Sequence, residues 1–310
     1  MPGSSDPARY PFPTTPNSWY GVAWSHEVEI GASLPVRAFG RDLVVFRGED
    51  GVARVLDARC PHLGAHLGVG GRVRGNTVEC PFHAWRFDGH GHCVDIPYAD
   101  RIPSKARVRA WTCEERNGAI LVWFHAQGAA PDWQVPTLPM CDPRRWTRPR
   151  YHSVDVRTHV QEMNENIFDY AHFVYIHHYE PGPEPTLEID GPFAHATLVG
   201  GTRVAGRVLT AHTRASLYGA GFTVIHVHKP VEFAVIVLKT PLDDETVQHR
   251  YAVVSPRRLP VLDQVLVRAL THQVTADVVA DSRIWENKEH LVRPLLVRRD
   301  GPIMHFRKWH

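Results

Sequence analysis

The sequence predicts an α+β protein of two domains: an all-β N-terminal domain, then a C-terminal domain in which helices flank an antiparallel sheet. Three observations carry this. The 310 residues exceed one small domain. Short alternating segments broken by turns run to about residue 124. Long stretches of helical period occur only beyond residue 160.

Residues 1–16, rich in Pro, Ser and Thr and without an apolar run of secretory type, read as an N-terminal tail. The first domain spans 17–127. Within it, 43–46 and 52–56 flank Gly48-Glu-Asp-Gly51 as a hairpin. Segments 77–80, 85–87 (with an Asp88-Gly89 turn) and 119–124 continue the strand pattern. The second domain spans 128–310 and opens on a Pro- and Trp-rich surface connection, 128–149. Residues 154–160 then alternate as a strand, and 162–177 read as a helix. The run Glu180-Pro-Gly-Pro-Glu-Pro185 is a loop, because its prolines lack the N–H that regular structure needs. Strands follow over 202–210, 223–228, 233–240 and 247–254, and an amphipathic helix runs from 261 to about 291.

Composition narrows the function. Hydrophobic residues at 43% and charged residues at 22% are ordinary for a globular chain. A net charge of +2 and only short basic stretches, Arg144 to Arg150 and Arg298-Arg299, argue against nucleic acid. No run reaches the ~18 apolar residues of a membrane span. Five cysteines at uneven spacing argue against a disulfide framework and for a reducing, cytoplasmic compartment. The 21 histidines are the unusual figure, since imidazole is the commonest nitrogen ligand of transition metals.

Two constellations give those histidines a role. In the first, Cys60-Pro-His62 and Cys80-Pro-Phe-His83 are separated by seventeen residues. A zinc finger usually groups two Cys in one arm and two His in the other. Here each arm supplies one of each, which suits a mixed-ligand iron–sulfur cluster: Cys60 and Cys80 on one iron, His62 and His83 on the other. Gly64, Gly68, Gly70 and Gly71 let the loops fold tightly. Cys93, Cys113 and Cys141 read as plain thiols. In the second constellation, His172 and His177 are five apart, which on an ideal helix turns them about 140° from one another. They reach one metal only where the helix ends or bulges. Asp281, on the late helix, could add the carboxylate of a facial triad that leaves dioxygen an open face. Asp277, one turn earlier, is the competing carboxylate, and His178 competes with His177.

These motifs resemble a known family. The Cys-x-His-x17-Cys-x2-His pattern with Trp85-x-Phe87 looks like the Rieske domain of ring-hydroxylating oxygenases. Leu63 and Phe82 stand where respiratory Rieske proteins carry further cysteines, which points to the oxygenase branch. Asn166-x-x-Asp169-x-x-His172-x4-His177 and Asp281 followed by Ile284-Trp285 are similar to that branch's iron motif. Closest in wording are the 3-ketosteroid 9α-hydroxylase oxygenases and cholesterol 7-desaturases, through 171–177, Ile284-Trp-Glu-Asn-Lys288 and Phe306-Arg-Lys-Trp309.

The resemblance implies a Rieske non-haem iron oxygenase with a [2Fe–2S] cluster and a mononuclear Fe(II) held by His172, His177 and Asp281. It also implies Asp169 as the carboxylate bridging a neighbouring subunit's cluster to the iron, Asn166 lining the iron pocket, and a homotrimer. The expected reaction uses O2 and electrons from a separate NAD(P)H-dependent reductase or ferredoxin to hydroxylate a hydrophobic, steroid-like or polycyclic molecule. No Gly-x-Gly-x-x-Gly fingerprint is present for binding nicotinamide directly. Desaturation or oxidative cyclisation by the same iron chemistry is the alternative outcome, and a non-catalytic Rieske electron-transfer protein is the alternative class. Tyr175, Phe222 and the apolar residues 231–238 are candidate pocket walls.

Overall fold

In the computed structural model, residues 9–204 and 206–310 are described. Residues 1–8 of the expected tail lie outside them. The chain divides into two compact units, Trp19–Thr137 and Leu138–His310, the second joined by the residues that precede Trp19. The division falls ten residues after the expected boundary, because the indole ring of Trp133 packs edge-on against Trp123 at 5.7 Å and its carbonyl accepts from Trp19 Nε1 at 2.8 Å. Residues 9–18 are built into the second unit: Phe12 packs 4.4 Å from the His159 ring, and Arg9 bonds the carbonyls of Trp285 and Lys288.

The first unit is built of β1 (Ser18–Trp24), β2 (Ser33–Ala38), β3 (Arg41–Arg47), β4 (Ala53–Asp57), β5 (Arg72–Arg74), β6 (Thr77–Glu79), β7 (Arg86–Phe87), β8 (Cys93–Asp95), β9 (Ala110–Trp111), β10 (Cys113–Arg116) and β11 (Ala119–Phe124). They form three small sheets, β1-β11-β10, β2-β3-β4-β9 and β5-β6-β7-β8. The expected 43–56 hairpin is β3 paired antiparallel with β4. Val44, Phe46, Leu56, Leu67, Val78 and Phe87 join Cys60 and Cys80 in one buried cluster, so the core itself anchors both cysteine loops.

The second unit contains β12 (Arg150–Val156), α1 (Val160–Glu165), α2 (Tyr170–Tyr175), β13 (Thr186–Asp190), β14 (Phe193–Val204), β15 (Arg207–Tyr218), β16 (Phe222–Lys229), β17 (Phe233–Pro241), β18 (Val247–Val254), α3 (Pro260–Trp285) and α4 (Ile303–Trp309). Its strands form one seven-stranded antiparallel sheet in the order β12-β18-β17-β16-β15-β14-β13. Val267 of α3 packs on Val235, Val237, Tyr251 and Val253. Phe306 of α4 and Phe168 pack on β14 and β15.

Four sequence expectations change here. The segment 202–210 is no single strand: β14 stops at Val204, β15 starts at Arg207, and the two pair as a hairpin about Gly206, whose φ of +79° a β-branched residue would resist. Residue 205 lies outside the described residues. The strand expected over 154–160 is shifted to 150–156, with Val160 already helical. The helix expected over 162–177 is broken into α1, a 3₁₀ turn (Asn166–Phe168) and α2, because Asp169 takes an extended ψ of 102° to cap α2 with its own carboxylate. The late helix ends at Trp285, short of 291.

Candidate metal centres

Cys60 and His62 stand on the loop between β4 and β5, Cys80 and His83 on the turn between β6 and β7. The two loops repeat one geometry. Each cysteine carbonyl accepts from the amide four residues on (Gly64 at 2.9 Å, Ala84 at 3.0 Å). Each cysteine amide donates to the carbonyl five residues on (Ala65 at 2.9 Å, Trp85 at 2.8 Å). The fourth residue needs a positive φ in both, +78° at Gly64 and +57° at Ala84. Gly71 closes the first loop, where an added Cβ would stand 1.9 Å from the Leu67 carbonyl oxygen.

The two sulfurs are buried, while the histidine rings are half-exposed and 4.6 Å apart between centroids. His62 lies flat on Trp85 at 4.8 Å, and Trp85 Nε1 donates to the Tyr98 hydroxyl at 2.7 Å. The residues fit an iron–sulfur group. His62 Nδ1 is buried with no hydrogen-bond partner, a lone pair that a metal would use. Burial pushes the Cys60 thiol up to about 11, so a thiolate there calls for a cationic partner. The four side chains do not converge on one point as a single tetrahedral zinc requires.

The second group does converge. Ligand atoms of His172, His177 and Asp281 lie within 4.8 Å of one another. The local chain explains how a spacing of five achieves this. The last turn of α2 is widened: the amides of both Ile176 (2.7 Å) and His177 (3.4 Å) donate to the His172 carbonyl. The helix then stops, and His178 turns away with a φ of +57°. The competing His178 is therefore exposed and apart from the group. Asp281 arrives from α3, with Oδ1 3.2 Å from His177 Nε2.

The remaining nitrogens are held from behind. The Asp169 backbone carbonyl bonds His172 Nδ1 at 2.6 Å. Asp277 Oδ1 stands 3.5 Å from His177 Nδ1, and Asp277 is steadied by Gln273 (2.9 Å) and Tyr179 (3.3 Å). Asp277 thus stands behind the His177 ring, on the opposite nitrogen from Asp281. Asn166 Nδ2 reaches the same point from the other side, 3.1 Å from both His172 Nε2 and Asp281 Oδ2. The Asp169 side chain serves α2, accepting from the amides of Ala171 (3.1 Å) and His172 (3.3 Å).

Electrostatics suits a cation. Burial, ahead of the nearby carboxylates, holds the His172 imidazole below its ordinary value and so neutral. Burial pulls His177 down too, but the hydrogen bonds and charges of Asp277 and Asp281 outweigh it and bring His177 up to about 9. A second convergence, His226, His228 and Glu232, sits at the β16–β17 turn with His228 exposed.

The His172–His177–Asp281 group lines a cavity of about 210 Å³ that shares Ile167, Phe173, Tyr179, Ile225 and Phe233 with an apolar cavity of about 450 Å³. Val231 and Phe233 line the larger space as expected of 231–238. Tyr175 and Phe222 do not. Tyr175 is 78% exposed at the end of α2, and Phe222, next to the cavity-facing Thr223, is fully buried on the opposite face of its strand. Thr223, Lys239 and His249, polar side chains in the cavity wall, were not anticipated. Their one sequence signal is a polar residue at an inward position of otherwise apolar strands.

Two imidazoles and a carboxylate can hold a ferrous ion with coordination positions left over, and an apolar cavity beside it admits a carbon skeleton rather than water. Electron storage on the first unit completes an oxygenase of the Rieske non-haem iron class. Residues 18–106 match the Rieske [2Fe-2S] domain, and residues 122–310 match the 3-Ketosteroid 9alpha-hydroxylase C-terminal domain. A cholesterol 7-desaturase of Ciona intestinalis is 31% identical over 96% of this chain and 68% of its own length. A probable 3-ketosteroid-9-alpha-monooxygenase oxygenase component of Rhodococcus rhodochrous is 31% identical over 94% and 78%. Among solved structures, dicamba monooxygenase bound to dicamba superposes with a TM-score of 0.77 at 22% identity, over 94% of this chain and 95% of that one. The chain belongs to the Rieske oxygenases with a 3-ketosteroid 9α-hydroxylase type of C-terminal domain, whose cofactors are a [2Fe–2S] cluster and a mononuclear iron.

Proposed function

We propose that this oxygenase hydroxylates a steroid-like or polycyclic hydrophobic molecule, using O2 and electrons from a separate reductase or ferredoxin. The observation that carries this is the convergence of His172, His177 and Asp281 on the wall of an apolar cavity. The relatives named as steroid 9α-monooxygenase and cholesterol desaturase support the substrate class. The name "oxygenase component" supports a separate electron donor. The two cavities, about 450 and 210 Å³, together lie within the usual range for a small-molecule site.

Cys60 and Cys80 would hold one cluster iron, His62 and His83 the other, and His172, His177 and Asp281 the mononuclear iron. When bound, the cluster supplies electrons singly, and the mononuclear iron supplies the activation of dioxygen. The chain does the rest. Asp277 and the Asp169 carbonyl fix which imidazole nitrogens face inward. Ile167, Phe173 and Ile225 exclude water and hold the substrate, and Asn166 presents an amide N–H at the reacting point.

Desaturation is the second reading, favoured by the 31% identity to a cholesterol 7-desaturase. Hydroxylation and desaturation part on substrate position within the cavity. The unit is proposed to work as a homotrimer in which one subunit's cluster serves the next subunit's iron. Leu63, Val69, Phe82 and Tyr98, exposed around the cluster loops, support an apolar docking face there. The five free cysteines support a reducing, cytoplasmic setting.

The first test is anaerobic iron and acid-labile sulfide analysis with EPR after reduction. Three irons and two sulfides per chain are expected, with oxygenated product on addition of a steroid, reductant and O2. Two irons and no product would reduce the protein to electron transfer, and zinc without sulfide would end the reading.

A further inference from the structure

The cavity beside the proposed iron ligands is apolar along most of its wall but not at one end. Three consecutive strands each place a polar side chain in its lining: Thr223 from β16, Lys239 from β17 and His249 from β18. Register puts all three on one face of the sheet. Lys239 and His249 are direct cross-strand partners, and Thr223 pairs with Val237, two residues before Lys239. All are buried, at 0%, 2% and 7% exposure for Thr223, Lys239 and His249.

Their hydrogen bonding is incomplete. The Thr223 hydroxyl and His249 Nδ1 have no partner among the described residues. Among those residues the Lys239 ammonium has one, Asn164 Oδ1, for three N–H bonds. A core normally replaces such groups with apolar ones or pairs them internally, and side chains left with spare donors toward a cavity are what a binding site retains. Burial also draws the Lys239 ammonium down to about 7 and keeps His249 neutral, so near neutral pH the lysine can donate as ammonium to a carboxylate or as amine to a ketone.

Position gives the trio a purpose. Along α3, Leu270 and Gln273 line the large apolar cavity, Asp277 and Asp281 follow, and Trp285 comes one turn later. The His249 ring lies 6.3 Å from Trp285, which places the polar end about 6 Å along the helix beyond Asp281. The proposed metal ligands therefore stand between the apolar cavity and the polar end. An elongated molecule lying in both would pass the metal ligands with one end at the trio.

We propose that Thr223, Lys239 and His249 form a subsite that binds a hydrogen-bond-accepting oxygen, ketone or carboxylate, at one end of the substrate and so sets which carbon stands beside the iron ligands. The inference rests on reading this cavity as the substrate site. The hydroxyl of Thr223, the ammonium or amine of Lys239 and the Nδ1–H form of His249 are the donors. A substrate without the oxygen would leave them unpaired in a dry pocket, which is the strongest form of discrimination a binding site has.

The test measures Kd by calorimetry on the iron-loaded protein with three probes of one ring skeleton: a steroid 3-ketone, the hydrocarbon with CH2 in its place, and a steroid carboxylate. Wild type should bind the ketone or the carboxylate about 10- to 100-fold tighter than the hydrocarbon. Lys239→Met and Thr223→Val should each shrink that ratio while leaving hydrocarbon binding and melting temperature unreduced, and should spread the product over more than one carbon. A merely structural role would weaken all three probes alike and overturn the subsite. So would an oxygen preference that survives in both variants or is missing from wild type. If no probe binds wild type at all, the steroid-class reading falls and takes the subsite with it.

Discussion

At the scale of single residues, His177 depends on what stands behind it. Its Nε2 faces Asp281 and its Nδ1 faces Asp277, so the ring can turn neither way without losing a partner. Asp277→Asn keeps the size of the side chain but removes the charge that orients the imidazole. Iron affinity at the mononuclear site should fall about 10- to 100-fold, as read by titrating ferrous iron into the metal-depleted protein. The visible spectrum of the cluster should not change, and unchanged iron affinity would show Asp277 to be dispensable. This role was only half legible in the sequence. A spacing of four on a helix places Asp277 and Asp281 on one face but does not say which converges with both imidazoles. The candidate cysteine and histidine ligands stood out because their residue types are rare and their spacing specific. Lys239 and His249 did not, since a polar residue within FAVIVLKTP or VQHRYAVV carries no ligand signature of its own.

At the scale of elements, α1 and the turn after it are held by charge and by close backbone packing. The Glu162 side chain is fully buried, paired with Lys288 and His290, each at 2.5 Å. Glu165 on the same helix pairs with Arg307 of α4. Burial alone would raise the Glu162 carboxyl, but the charge and hydrogen bonds of Lys288 and His290 outweigh it and hold it below its ordinary 4.5. Its contribution is therefore complete above about pH 4.5 and drains as pH falls through the depressed value of the folded state. Glu162→Gln should cost about 3 kcal/mol at neutral pH in denaturant unfolding and flatten the acid limb of the stability profile. Gly301 makes the backbone case: its φ is +86°, and an added Cβ would stand 2.2 Å from the Phe168 carbonyl oxygen. Gly301→Ala should cost at least about 2 kcal/mol by the same measurement, since both the conformation and the contact resist it. Neither tie could be read beforehand, because each joins residues more than a hundred apart in sequence. The expected single helix over 162–177 failed for a local reason, the capping carboxylate of Asp169. The strand expected over 202–210 failed because β-branched residues on both sides of Gly206 read as one segment, with a lone glycine as the turn signal between them.

At the scale of the whole molecule, Asp169 carries the proposed assembly. Its Oδ1 caps α2, while its Oδ2 has no hydrogen bond among the described residues. A single substitution to alanine would mix two effects, because losing the cap alone costs about 1 kcal/mol and loosens the turn that carries His172. Asp169→Asn separates them. Asparagine caps a helix as well as aspartate does, but it has no charge with which to hold a neighbouring subunit's cluster histidine. Sedimentation of the wild type should give a trimer, and Asp169→Asn should keep its melting temperature and both metal signals. Its single-turnover product should drop by about 100-fold or more when electrons must come from the reduced cluster, because a transfer route that crosses subunits loses its fixed contact. Product yield equal to wild type would remove Asp169 from that route. A fully active monomer would remove the route itself, since a transfer confined to one chain has no use for a carboxylate turned toward a neighbour.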